Sequence, residues 1–91
     1  MKVYWEGKEI GELSDLVTDL QYVAGRLSYV TTNDAIEFKE HCKLKLGHGS
    51  PESIANRVQV MVELLSSSES MSVSIVSINE GWLFGRRRRT N

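Results

Sequence analysis

No apolar run in this chain is longer than three residues, and polar positions interrupt the apolar ones throughout. Val3-Tyr4-Trp5, Val60-Met61-Val62 and Trp82-Leu83-Phe84 are among the longest. Nothing approaches the ~20 apolar residues that a membrane-spanning helix needs. The surest strand is Met71 to Asn79, where Val73 and Ile75 alternate with Ser72 and Ser74. Its phase slips between Ile75 and Val76, which predicts a bulge or burial of both faces.

The N-terminal third reads as a meander. Val3 and Trp5 alternate with Lys2, Tyr4 and Glu6, and Gly7-Lys8 has the glycine-first form of a two-residue type II′ turn. Glu9 to Leu13 returns, with Gly11 expected at a bulge or a close backbone approach. Ser14 to Thr18 reads as a polar connection. A second pair follows, Leu20 to Val23 and Arg26 to Val30, about a turn at Ala24-Gly25. Thr31-Thr32-Asn33-Asp34 signals a helix start, and Asp34 with Glu37 three residues on has the form of a capping box. Over residues 34–46, Ala35, Phe38, Cys42 and Leu46 fall within about 80° of one another at 100° per residue, a single stripe for burial. Ile36 and Leu44 lie off that stripe. Gly47 suits the end of the helix.

Residues 51–65 admit two readings. As a helix, Ser50 caps, Pro51 opens the first turn, and Ile54, Ala55, Val58, Met61, Val62 and Leu65 share a face. As a strand, Val58, Val60, Val62 and Leu64 alternate with Arg57, Gln59, Met61 and Glu63. The β-branched residues weigh against a long helix, which favours one helical turn at 51–56 and a strand at 57–65. Ser66 to Ser70 is a polar turn.

Charge is divided unevenly along the chain. Residues 1–85 carry 7 Lys and Arg against 12 Asp and Glu, a net −5, and Arg86-Arg87-Arg88-Arg89 restores +4. The sequence therefore divides into a domain at 1–85 and a basic, flexible tail at 86–91, a dipole that suits an anionic partner. Ninety-one residues make one domain, enough to bury about 60–70% of the surface exposed by the unfolded chain. The lone Cys42 forms no internal disulfide and fits a reducing cytoplasm. The charged start, Met1 to Glu6, lacks the apolar core of a signal peptide.

Chemistry-bearing residues form no catalytic constellation. His41 and Cys42 are adjacent, so on a helix they point about 100° apart, and Cys42 falls on the stripe for burial. Three His and Cys residues in total are too few for a tetrahedral zinc site. Leu46-Gly47-His48-Gly49-Ser50-Pro51 has backbone N–H groups that could meet a phosphate, but it lacks a P-loop lysine. Glu6, Glu9, Glu12, Asp15 and Asp19 read as a solvated acidic region. The aromatic residues Trp5, Tyr4, Tyr22, Tyr29, Phe38, Phe84 and Trp82 read mainly as core, with a partner-facing patch as the alternative.

Val3-Tyr4-Trp5-Glu6-Gly7-Lys8-Glu9-Ile10-Gly11-Glu12-Leu13, followed by Asp19-Leu20-Gln21-Tyr22-Val23-Ala24-Gly25, resembles small bacterial single-domain proteins. Those share a V-x-W-x-G-x-x-I-G-x-L hairpin and then D-x-x-Y-x-x-G. The resemblance covers about a third of the chain and implies a bacterial α+β domain. It transfers no activity and no catalytic residue.

The expectation is an α+β domain: a mainly antiparallel sheet of five or six short strands with one main helix, residues 34–46, on one face. Phe38, Val60, Val73 and Ile75 should be buried together. The expected function is a non-enzymatic protein-interaction module (immunity-like, adaptor or self-associating), with no cofactor, no metal and no membrane. The alternative is a nucleic-acid-binding accessory protein, and an enzyme ranks third. The expected contact residues are Arg86, Arg87, Arg88, Arg89, Tyr4 and Trp82.

Overall fold

The computed structural model describes residues 1–45 and 60–88. Its elements in chain order are β1 (Lys2–Trp5), β2 (Lys8–Thr18), β3 (Tyr22–Tyr29), α1 (Asn33–Lys45), β4 (Val60–Leu65), β5 (Ser70–Asn79) and β6 (Trp82–Arg88). The strands form two antiparallel meanders, β1–β2–β3 and β4–β5–β6. These join along both sides, β3 to β6 and β1 to β4, giving a closed barrel in the order β1-β2-β3-β6-β5-β4.

This corrects the α+β expectation. The fold is a six-stranded antiparallel barrel with one helix, and no open sheet lies beneath that helix. Period-two patterns identify strands one at a time. Closure is decided by the outer strands of the two meanders, whose unpaired N–H and C=O groups pair with each other.

Alternation sends one side chain of each pair inward. Val3, Ile10, Leu13, Val23, Leu27, Val60, Val62, Leu64, Val73, Ile75 and Leu83 fill the interior, each at most 5% exposed. With six strands the interior is narrower than that of an eight-stranded barrel, which side chains just fill. Gly85 answers this constraint. A Cβ placed there would overlap Val73 Cγ1 and press on the Ser74 carbonyl, so β6 can pass this point only without a side chain.

Several local readings hold and several shift. The slip after Ile75 is a bulge: Ile75 pairs with Gly85 and Ser77 with Phe84, leaving Val76 as the extra, exposed residue. Gly11 is a close approach, because a Cβ there would lie 2.5 Å from the Ser28 carbonyl oxygen. The first turn is Glu6-Gly7, one residue earlier than expected. Both residues have positive φ (52° and 80°), the type I′ geometry that matches strand twist. Glu80-Gly81 repeats it between β5 and β6 (51° and 83°). Ser14–Thr18 is strand, with β2 bulged where Asp15 adopts φ 52°. Ala24-Gly25 lies within the continuous β3, and the turn falls at Asp19–Gln21. The N-terminal third therefore holds three strands instead of four.

Helix α1 covers the barrel end where β1 stops and β2 begins. Thr32, rather than Asp34, caps it: the Ala35 N–H donates to Thr32 Oγ1 at 3.3 Å and the Ile36 N–H to the Thr32 carbonyl at 3.2 Å. Asp34 instead meets Lys8 Nζ at 3.4 Å. Ala35, Phe38 and Cys42 are buried as expected, while Ile36 and Leu44 face solvent. The Phe38 ring stands edge-on to Trp5 (centroids 5.4 Å apart) and packs on Tyr29 (6.3 Å). The expected joint burial of Phe38, Val60, Val73 and Ile75 is found. Of the strand expected at 57–65, Val60–Leu65 is present with Val60, Val62 and Leu64 inward. The helical turn at 51–56, residues 57–59 and the Leu46–Pro51 loop with His48 lie outside the described residues.

Candidate functional site

The arginine run is largely strand. The sequence ends the domain at Gly85, but β6 continues through Arg88. Arg86 is paired with Tyr22 on one side and Ser74 on the other, and Arg87 and Arg88 with Val73 and Ser72. The Arg87 N–H donates to the Gln21 carbonyl at 2.8 Å. Arg89 lies outside the described residues.

Strand alternation decides where these side chains go. With Leu83 and Gly85 inward, Trp82, Phe84, Arg86 and Arg88 occupy the outer positions of β6. Beside them on β3, Arg26 lies opposite Trp82, Ala24 opposite Phe84 and Tyr22 opposite Arg86. Tyr22 and Phe84 stack across the strands, centroids 5.3 Å apart and planes 15° apart. The Arg26 guanidinium lies 5.6 Å from the centre of the Trp82 ring, within cation–π range. Ala24 presents only a methyl group between these rings. Tyr22, Phe84 and Trp82 remain 39–41% exposed, in contrast to the interior residues. Val17 of β2, paired with Ala24 of β3, adds a further exposed apolar side chain.

The face is basic as well as aromatic. Arg26 is shared with Asp15, Nε to Oδ2 3.6 Å, an exposed pair of small energetic value. The ion pairs among the described residues leave out Arg86, Arg87 and Arg88. Elsewhere on the barrel the outer positions are more acidic. Tyr4 of β1 lies between Glu9 of β2 and Glu63 of β4, and β1 stands three strands from β6 in the closed order. The structure thus brings Trp82, Arg86 and Arg88 together and keeps Tyr4 apart. Arg87 lines a separate polar cleft of about 440 Å³ with Thr18, Ser68, Glu69, Ser70 and Met71, away from the aromatic row.

Phe84, Tyr22 and Arg26 escaped the sequence reading of the contact residues. The signal for Phe84 was the period of two in Trp82-x-Phe84-x-Arg86-x-Arg88, which reading the run as a tail concealed; Tyr22 and Arg26 join it only through the pairing of β3 with β6.

Two of the remaining chemistry-bearing residues have local partners. His41 packs its ring on Trp5, centroids 5.1 Å apart. Glu9 reaches Lys2 at 3.9 Å. Among the described residues, no three His, Cys, Asp or Glu side chains gather as a metal-holding group, and no helix is long and apolar enough to cross a membrane. Burial pushes the Cys42 thiol up from 9.0 to about 12, and burial, then Cys42, raises Tyr29.

A raised thiol pKa favours the folded state below the unfolded thiol's value, and that contribution is lost as pH climbs from about 9 toward 12. Native Cys42 should therefore react slowly with a disulfide reagent at pH 8 and rapidly after denaturation. Equal rates in the two states would show that the thiol is not enclosed.

Compared with known proteins, the chain matches no family model, no curated protein and no solved structure.

Proposed function

We propose that the protein is a non-catalytic binding module whose working surface is the outer face of β3 and β6. One observation carries this reading: three half-exposed aromatic rings and three arginines share adjacent outer positions on one side of a closed barrel. Half-exposed aromatic side chains leave apolar surface in water, and aromatics and arginines supply the largest contact energies at interfaces. The core is complete without them, since the interior residues and Phe38 already fill the barrel. With its single thiol, the chain suits a reducing, cytoplasmic setting.

A photoreactive residue at position 82 tests the surface without knowledge of the partner. In cells, Trp82→p-benzoylphenylalanine should give a macromolecular adduct. The same substitution at Ile36, which is more exposed than Trp82 but lies on α1, should give little. Adducts of equal yield from both positions, or none from position 82, would refute the assignment.

A further inference from the structure

We infer that the partner of the β3–β6 face is a single-stranded nucleic acid, its bases held by Trp82, Phe84 and Tyr22 and its phosphates by Arg86, Arg88 and Arg26. The inference rests on the proposal that this face is the working surface, and it specifies the chemistry that the face recognises. The first support is the linear arrangement. Trp82, Phe84, Arg86 and Arg88 follow one another at every second residue of β6, about 6.6 Å apart at the usual strand rise. A base is about 3.4 Å thick in a stack, so two ring-bearing positions at that spacing can hold one between them. The arginines continue the same line, as a chain of phosphates running on from the bound bases requires. A globular protein partner needs no such collinearity.

The second support is the kind of aromatic surface. Tyr22 and Phe84 form a two-ring shelf, and Trp82 has a guanidinium beside its ring. Stacking shelves next to arginines serve unpaired bases, because every base has a π-face and a duplex hides it. The third is charge. The partner-facing side holds Arg26, Arg86 and Arg88 against one paired carboxylate, Asp15, an exposed partner of Arg26 that a phosphate can displace, while Glu9 and Glu63 flank Tyr4 on β1. The chain's net −1 therefore conceals a side suited to a polyanion. A second copy of the chain, docking its acidic side here, is the competing occupant.

Titration of the full chain with labelled single strands of dT and rU decides the matter, using roughly 12 nucleotides, within the ~4–16 typical of small single-strand-binding domains. At low salt the strands should bind, and they should bind better than a duplex of equal length. Trp82→Ala or Phe84→Ala should each weaken binding about ten-fold or more, the usual effect of losing one stacking partner. Trp82→Tyr, which keeps a stacking ring, should retain most of the affinity. With about three phosphates neutralised, log K should fall with log salt at a slope near −2, and R86S with R88S should bring it to about −0.7.

Melting of each variant near the wild-type temperature verifies that the barrel is intact. Duplex binding of equal strength that is insensitive to Trp82 and Phe84 would overturn the inference. So would a dimer that dissociates in R86S/R88S while the strands fail to bind. If oligonucleotides do not bind but position 82 still cross-links to a protein, this inference falls and the working-surface assignment stands.

Discussion

Replacing Phe38 with alanine should cost about 3–5 kcal/mol, the range for emptying a buried aromatic site. Phe38 is fully buried and is the largest side chain in the interior. It comes from a helix and not from a strand, so it seals the barrel end against Trp5 and Tyr29. Its removal leaves a void at the junction of α1 with the barrel. No neighbouring strand can fill that void without breaking its own pairing. In a domain with about 5–15 kcal/mol of total stability, and at about 4–8 °C per kcal/mol for this chain length, the melting temperature should fall by more than about 10 °C. A change of only a degree or two, measured by circular dichroism, would mean that α1 does not seal the barrel.

The sequence displayed the inward-facing residues more clearly than it displayed the fold. Val60, Val73, Ile75 and Phe38 each sit at the centre of a short apolar pattern, and a local period is enough to mark the side that must be buried. The bulge at Val76 was legible for the same reason. The barrel was not, because it depends on β1 meeting β4 and β3 meeting β6, pairings between residues some sixty positions apart. No window along the chain reports which outer strand finds which partner.

Ala24-Gly25 resembles a turn, but its glycine serves a close approach within β3, where a Cβ would lie 2.8 Å from the Ser14 carbonyl oxygen. The first turn and the β2 bulge shifted where positive φ falls on a non-glycine. Glu6 and Asp15 both adopt this conformation, and neither carries a sequence mark as clear as glycine. The helix cap shifted because Thr32, Asn33 and Asp34 are all competent caps, and the connection from Tyr29 selects among them.

The binding face was half legible. Trp82, Arg86 and Arg88 stood out by type, but four consecutive arginines after a glycine resemble a solvated end. What converts them into strand is tertiary: Tyr22 on one side and Ser72, Val73 and Ser74 on the other leave ladder positions that only 86–88 can fill. The glycine that looked like a terminator is required by Val73 beneath it. Tyr4 stands opposite Val3 and Trp5 in an alternating strand, and the closed order alone puts it on another side.

Strand β6 does two things at once: its inner positions close the barrel, and its outer positions carry the proposed binding face. Ending the chain at Gly85 separates this from a basic tail appended to a finished domain. The shortened chain loses the pairings of 86–88 with both β3 and β5, including the bond from the Arg87 N–H to the Gln21 carbonyl. Each lost backbone bond removes about 0.5–1.5 kcal/mol. Opening the seam also wets Val23 and Val73, now fully buried, at about 1.5–3 kcal/mol each if the exposure is complete. Together these approach the whole stability of a small domain. Thermal unfolding of the 1–85 chain beside the full-length protein is therefore the most direct measurement. A melting temperature lower by about 20 °C or more, or no cooperative transition at all, is the predicted result. A transition within about 2 °C of the full-length protein would contradict the account and return the arginines to a tail.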